Sequence, residues 1–187
     1  MTRALTVALL ALLSACMTLP GSDTPAFSRY TLQGPEKACD SGGEPLVLSV
    51  ARANVGLDSD RIARRNTDTG EISYLKDVRW ADQAGILVEQ QLARDLECQG
   101  FTVLSSHHHK LGQRRLICEL RALNLVESGD RDSADVGLSC MLYGPDADTP
   151  FVSSHQVPLA RWSARSAVAA TSEAYRKVLA DLVAALQ

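Results

Sequence analysis

The chain has 187 residues, of which 45% are hydrophobic, 22% charged and 5% aromatic, and its net charge is −3. That length suits one domain with a tail, and the ordinary apolar and charged fractions exclude wholesale disorder. A sequence pI of about 5.8 speaks against a nucleic-acid binder, which would carry a basic face. In chain order, the first element is a leader. Arg3 opens it, residues 4–13 are mostly apolar, and the small pair Ser14-Ala15 leads to Cys16. Charge, short apolar run and small residues are the layout of a secretory signal peptide. The run is shorter than the roughly 20 residues that cross a bilayer.

The stretch Leu13-Ser14-Ala15-Cys16 resembles the bacterial lipobox. That resemblance implies cleavage before Cys16, a diacylglycerol thioether on its sulfur and a further acyl (palmitate-type) chain on its amine. One acyl chain binds a membrane only marginally and two or more anchor stably, at about 0.8 kcal/mol per buried CH₂. Met17, rather than Asp, follows the cysteine. By the enterobacterial sorting rule this implies the outer membrane, with the domain on the periplasmic face. The expected organisation is a cleaved signal at 1–15, a lipidated tether and irregular lead-in at 16–44, and one α/β domain at 45–187.

Within the lead-in, residues 27–32 read as one short extended stretch. Residues 45–51 form a nearly continuous β-prone run, the pattern of a buried strand. The polar stretch 54–76 carries turn signals, with a short strand at 71–75. Residues 80–97 predict a helix, with Ala81, Ala84, Gly85, Val88, Leu92 and Leu96 on its apolar stripe. Gly100 ends that helix, and 101–104 follow as a strand. Residues 115–122 alternate, with Leu116, Cys118, Leu120 and Ala122 on one face. Residues 136–142 alternate likewise, and the short link makes the two an antiparallel hairpin. Residues 151–158 predict an edge strand. Ser163 opens a long helix whose stripe is Val168, Thr171, Tyr175, Val178, Leu179, Leu182 and Leu186. The fold class is therefore an α/β (α+β) sandwich, a mixed or antiparallel sheet with two main helices on one face.

Five cysteines are an odd number. With Cys16 assigned to lipid, Cys39, Cys98, Cys118 and Cys140 remain, and an oxidising periplasm allows disulfides among them. Cys118 and Cys140 share a face of adjacent hairpin strands, which leaves Cys39 for Cys98. Closing those loops is worth about 3 and 4 kcal/mol in the chain-entropy estimate. The alternative is small free thiols packed in the core. No zinc spacing occurs, so no metal or cofactor is expected. The run His107-His108-His109 reads as a solvated turn, because consecutive side chains diverge. Ser153, Ser154 and His155 alternate in direction along one strand and make a poor nucleophile–base pair. The acid pairs Asp58/Asp60 and Asp130/Asp132 sit in loops without an apolar pocket. No catalytic motif is present, and no enzyme activity is expected.

The segments Asp60-Arg61-Ile62 and Arg79-Trp80-Ala81, with Tyr30-Thr31-Leu32 as an entry, resemble the ABC-type transport auxiliary lipoprotein (PqiC-like) family. The specific motifs fall in residues 57–97. The sequence departs at Val55-Gly56 and Gln83, where the family often has prolines. The resemblance implies a fold similar to TolB amino-terminal and CsgG-type domains. It also implies a non-catalytic role beside a mammalian-cell-entry (MCE) domain protein and an ABC permease, in lipid transport between the inner and outer membranes. A homo-oligomeric ring is a further implication. On the residues themselves, Trp80 is expected to pack beside the helix stripe and Arg79 to pair with Asp58 or Asp60. The rival reading is a lipoprotein of the same fold that regulates a cell-wall enzyme or assembles a secretion pore.

Overall fold

The alternating stretch in the middle of the chain becomes the strand on which the sheet is assembled. The structure, a computed structural model, describes residues 27–35, 39, 42–51, 59–105, 112–129, 131–145 and 147–187. Its longest strand is β6 (Arg114–Glu127). Along one edge β6 pairs antiparallel with β7 (Ser133–Tyr143), which pairs antiparallel with β8 (Asp148–Pro158). The other edge of β6 carries two partners end to end. Its first half pairs parallel with β2 (Pro45–Ala51), itself flanked by parallel β5 (Thr102–Ser105). Its second half pairs parallel with β3 (Arg61–Asn66), followed by antiparallel β4 (Ile72–Trp80) and then parallel β1 (Ser28–Tyr30). Among the described residues the result is one eight-stranded mixed sheet, of the two kinds the pattern of elements allowed, mixed or antiparallel.

Among the described residues two helices cover one face: α1 (Ala84–Glu97) and α2 (Ala164–Leu186). Both contribute to a single core with Leu46 and Leu48 of β2, Leu116, Cys118 and Leu120 of β6, and Val136, Leu138 and Cys140 of β7. Ser163 caps α2 by accepting the Ser166 N–H. The expected stripe from Val168 to Leu186 is buried throughout. Each fully buried apolar side chain is worth about 1.5–3 kcal/mol, against about 1 kcal/mol for a cap. Packing therefore outweighs capping in holding α2.

Three expectations need correction. The first helix begins at Ala84, not at residue 80; Arg79 and Trp80 close β4, where they lie opposite Arg29 and Tyr30 of β1. Pairing with the lead-in keeps them extended. The buried side of α1 is accordingly Ala84, Leu87, Val88, Gln91, Leu92, Asp95 and Leu96, while Ala81 is exposed. Second, Ala122 does not share the face of Leu116, Cys118 and Leu120. A bulge between Leu120 and Ala122 shifts the register against β7, so the core face passes to Leu123 and Leu125. Third, β3 occupies a stretch read as polar turns. Ile62 and Ala63 are buried there, but the arginines around them conceal the strand pattern.

The lead-in is also more structured than an irregular tether. Residues 28–30 form β1, and Leu32 is a core residue at 2% exposure. The packed fold thus starts before residue 45.

Candidate functional site

The residues singled out at 60–62 and 79–80 converge at one corner of the molecule. Arg61 stands opposite Arg79 where β3 and β4 pair. Such like-charged neighbours repel, and each guanidinium finds its own partner. Arg79 Nη1 lies 3.1 Å from Asp60 Oδ1, and its guanidinium sits 4.6 Å from the Phe27 ring. The Arg61 guanidinium lies 3.9 Å from the Tyr74 ring. Ile62 and Trp80 are each 1% exposed and belong to the core. The backbone closes the corner as well: Trp80 N–H donates to the Asp60 carbonyl at 2.7 Å, Ala81 N–H to Tyr30, and Ala84 N–H to Ser59. The expected Arg79–Asp60 pair is therefore present, while Asp58 lies outside the described residues. A shallow polar cleft opens beside the pair, lined by Arg29, Ser59, Asp60, Ala81, Asp82 and Gln83.

From this corner the lead-in runs as a strap across the two-helix face. Leu32 plugs the core, and Gln33 N–H donates to Ser172 Oγ of α2 at 3.2 Å. Gly34 then lies against a buried carboxylate: a Cβ there would overlap Asp95 and the Gln91 amide. Asp95, on α1, is 3% exposed. It accepts from the Tyr175 hydroxyl at 2.7 Å and from Gln91 Nε2 at 3.0 and 3.1 Å. Gln91 Oε1 accepts in turn from Arg94. Burial raises the Asp95 pKa, and the hydrogen bonds from Tyr175 and Gln91 and the charge of Arg94 oppose that rise only in part. Burial first, then the Asp95 charge, holds the Tyr175 hydroxyl well above its ordinary pKa. The strap ends at a Cys39–Cys98 disulfide with the C-cap of α1. Sequence reasoning missed this cluster because the buried face of α1 is wider than the expected apolar stripe: Ala84, Val88, Leu92 and Leu96 are buried as expected, and Leu87, Gln91 and Asp95 join them.

The second disulfide joins Cys118 and Cys140, directly opposite each other on β6 and β7. The four candidate cysteines are thus paired, Cys118 with Cys140 across the hairpin and the remaining Cys39 with Cys98. Cys16 lies outside the described residues, as do His107, His108, His109 and Asp130. Asp132 sits 3.8 Å from Arg64, which also pairs with Glu127 at 2.6 Å and packs 4.6 Å from the Trp162 ring.

Ser153 and His155 point the same way from β8, and both meet Asp181 of α2. Ser153 donates to Asp181 Oδ2 at 2.6 Å, and His155 Nε2 lies 2.7 Å from the same oxygen. The carboxylate stands between the two, so the imidazole is not placed to take the serine proton as a nucleophile–base pair requires. The cluster acts instead as a clip between β8 and α2. The hydrogen bond from Ser153, then that from His155, holds the Asp181 carboxyl below its ordinary pKa. Among the described residues no group of three or more His, Cys, Asp or Glu could hold a metal ion, and no helix is long and apolar enough to cross a membrane.

No protein-family model and no curated protein sequence matches the chain. Among solved structures, protein XCC0632 from Xanthomonas campestris, a DUF330 protein, matches at 22% identity over 83% of this chain and 92% of its own, with a TM-score of 0.64. An uncharacterised protein matches at 14% identity over 87% of this chain and 99% of its own, with a TM-score of 0.71. The chain therefore shares its fold with proteins of about its own length.

Proposed function

We propose that this chain is a lipid-anchored lipoprotein of the bacterial envelope, held on the periplasmic face of the outer membrane through Cys16. In this reading it is a non-catalytic auxiliary component of an ABC/MCE-type lipid transport system. The observation that carries it is the union of anchor and motif. The lipobox-like Leu13-Ser14-Ala15-Cys16 precedes a strap that enters the fold at the corner where Asp60, Arg79 and Trp80 meet. Two or more acyl chains make such an anchor stable. The strap, pinned at Leu32, Gly34 and Cys39, sets how the anchored domain is presented to a partner. What the chain's own residues supply is attachment and orientation; the clip at Asp181 and the buried Asp95 are structural.

Cys16→Ala in the full chain tests the anchor. The variant is expected to accumulate as an unlipidated precursor and to leave the detergent phase. Unchanged partitioning would contradict the assignment. Genes for a permease, an ATPase and an MCE protein are expected beside its own, and a neighbourhood of cell-wall enzymes would favour the regulatory reading.

A further inference from the structure

Among the described residues the sheet ends at β1, β5 and β8, with β1 covering only the last three residues of β4, the rest of which carries the charges of Lys76 and Asp77. β1 and β5 are only three and four residues long. β8 has eleven residues and pairs with β7 without a register shift. After Asp148 it contains no Lys, Arg, Asp or Glu. Soluble proteins ordinarily protect such an edge with charge, a bulge or extreme shortness. Here only Pro150 and Pro158, near its two ends, serve that purpose.

Pro150 also settles which groups the edge offers. It stands opposite Met141 in the ladder with β7, and a proline fits a ladder where its nitrogen points away from the neighbouring strand. That direction alternates along a strand. The N–H and C=O groups of Val152, Ser154 and Gln156 therefore face the free edge. Their side chains stand on the uncovered face of the sheet, opposite the Ser153 and His155 side chains that meet α2. Val152 is 75% exposed there.

We propose that this edge pairs antiparallel with the same edge of a second copy, about a two-fold axis through Ser154. A second copy is the fitting occupant because the edge is self-complementary. An uncharged strand meets itself without like-charge repulsion, although each chain carries a net charge of −3, and a two-fold makes every contact twice. With Ser154 against Ser154 of the second copy, Val152 lies against Gln156 and Pro150 against Pro158. Every outward N–H from 152 to 156 then meets a carbonyl, and the prolines fall where the ladder ends. The exposed Val152 gains cover, and the Ile117, Met141 and Pro150 row across the uncovered face continues into the second copy.

Disulfide trapping in the full chain tests this register. Ser154→Cys places two thiols in a directly opposed pair, within disulfide reach, and should give a crosslinked dimer on a non-reducing gel. Val152→Cys places its two thiols about 13 Å apart along the strands, beyond reach, and should give at least tenfold less. In parallel, light scattering of the full chain in detergent should report an assembly of at least two copies. Ser154→Lys, with its circular dichroism unchanged, should weaken that pairing roughly tenfold or more through the opposed like charges. A monomeric wild type overturns the proposal. So does a dimer or larger assembly in which the Ser154→Cys variant fails to crosslink or Ser154→Lys has no effect.

Discussion

Gly34 is the residue at which the strap is most closely constrained. Its Cα rests where any side chain would strike the Asp95 carboxylate, and that carboxylate is held in place by Tyr175 and Gln91. A held group cannot swing aside, so Gly34→Ala should cost about 1–3 kcal/mol, the range for overpacking, read as a lower urea midpoint with an unchanged slope. Two carboxylates should shape the pH dependence with opposite signs. Asp95 is raised by burial, so its contribution is fully present below the unfolded value, about 3.9, and is lost as pH rises through the folded value. Asp95→Asn should remove that decline while leaving an oxygen for the Tyr175 hydroxyl. Asp181 is lowered by Ser153 and His155, so its contribution is present above the unfolded value and is lost as pH falls through the folded one. Asp181→Asn should flatten the acid side alone. Melting temperature against pH for the three chains reads both effects, and a decline in the wrong direction for either variant contradicts the assignment. None of this was legible in the sequence. Asp95 and Gln91 look like ordinary surface residues of an amphipathic helix until tertiary packing turns that side inward.

At the scale of elements, the sequence pattern served best where burial alone decides the period. β2 has the bounds its apolar run suggested, α2 follows its stripe from the Ser163 cap, and β6 and β7 form the expected hairpin. It served less well where a neighbour overrides local preference. Arg79 and Trp80 suit a helix head, yet β1 draws them into β4. Ala122 obeys the alternation until the bulge after Leu120 displaces it, and no residue in that stretch announces the bulge. The disulfides link elements that differ in their need of help. The hairpin is also held by an unbroken run of partners around Cys118 and Cys140, whereas the end of the strap relies on Cys39–Cys98. Replacing Cys39 and Cys98 together by Ala should cost about 4 kcal/mol by the chain-entropy estimate, and replacing Cys118 and Cys140 about 3. The first replacement should also open the strap at residues 31–35 to protease while β2 stays protected. Equal protection there in both variants would mean that Gly34 and Leu32 suffice to hold the strap.

For the whole molecule, the candidate corner was partly readable and the assembly was not. The Asp60–Arg79 pair and the packing of Trp80 were expected once the resemblance had singled out these residues, although Asp60 and Arg79 are 19 positions apart. That the lead-in completes the same corner required the structure, because β1 has only three residues and an unremarkable sequence. The consequence is that the first described residues and the motif corner are one surface, so in the proposed reading the segment that follows a lipidated Cys16 leads directly into that corner. The lipid transport reading stands or falls on what meets the molecule in that position. In cells carrying the full chain, crosslinking followed by purification and mass spectrometry is the most direct measurement. The account predicts recovery of an MCE-domain protein, diminished for Cys16→Ala. Recovery of cell-wall enzymes alone, or an unchanged set of partners when the anchor is removed, would contradict it.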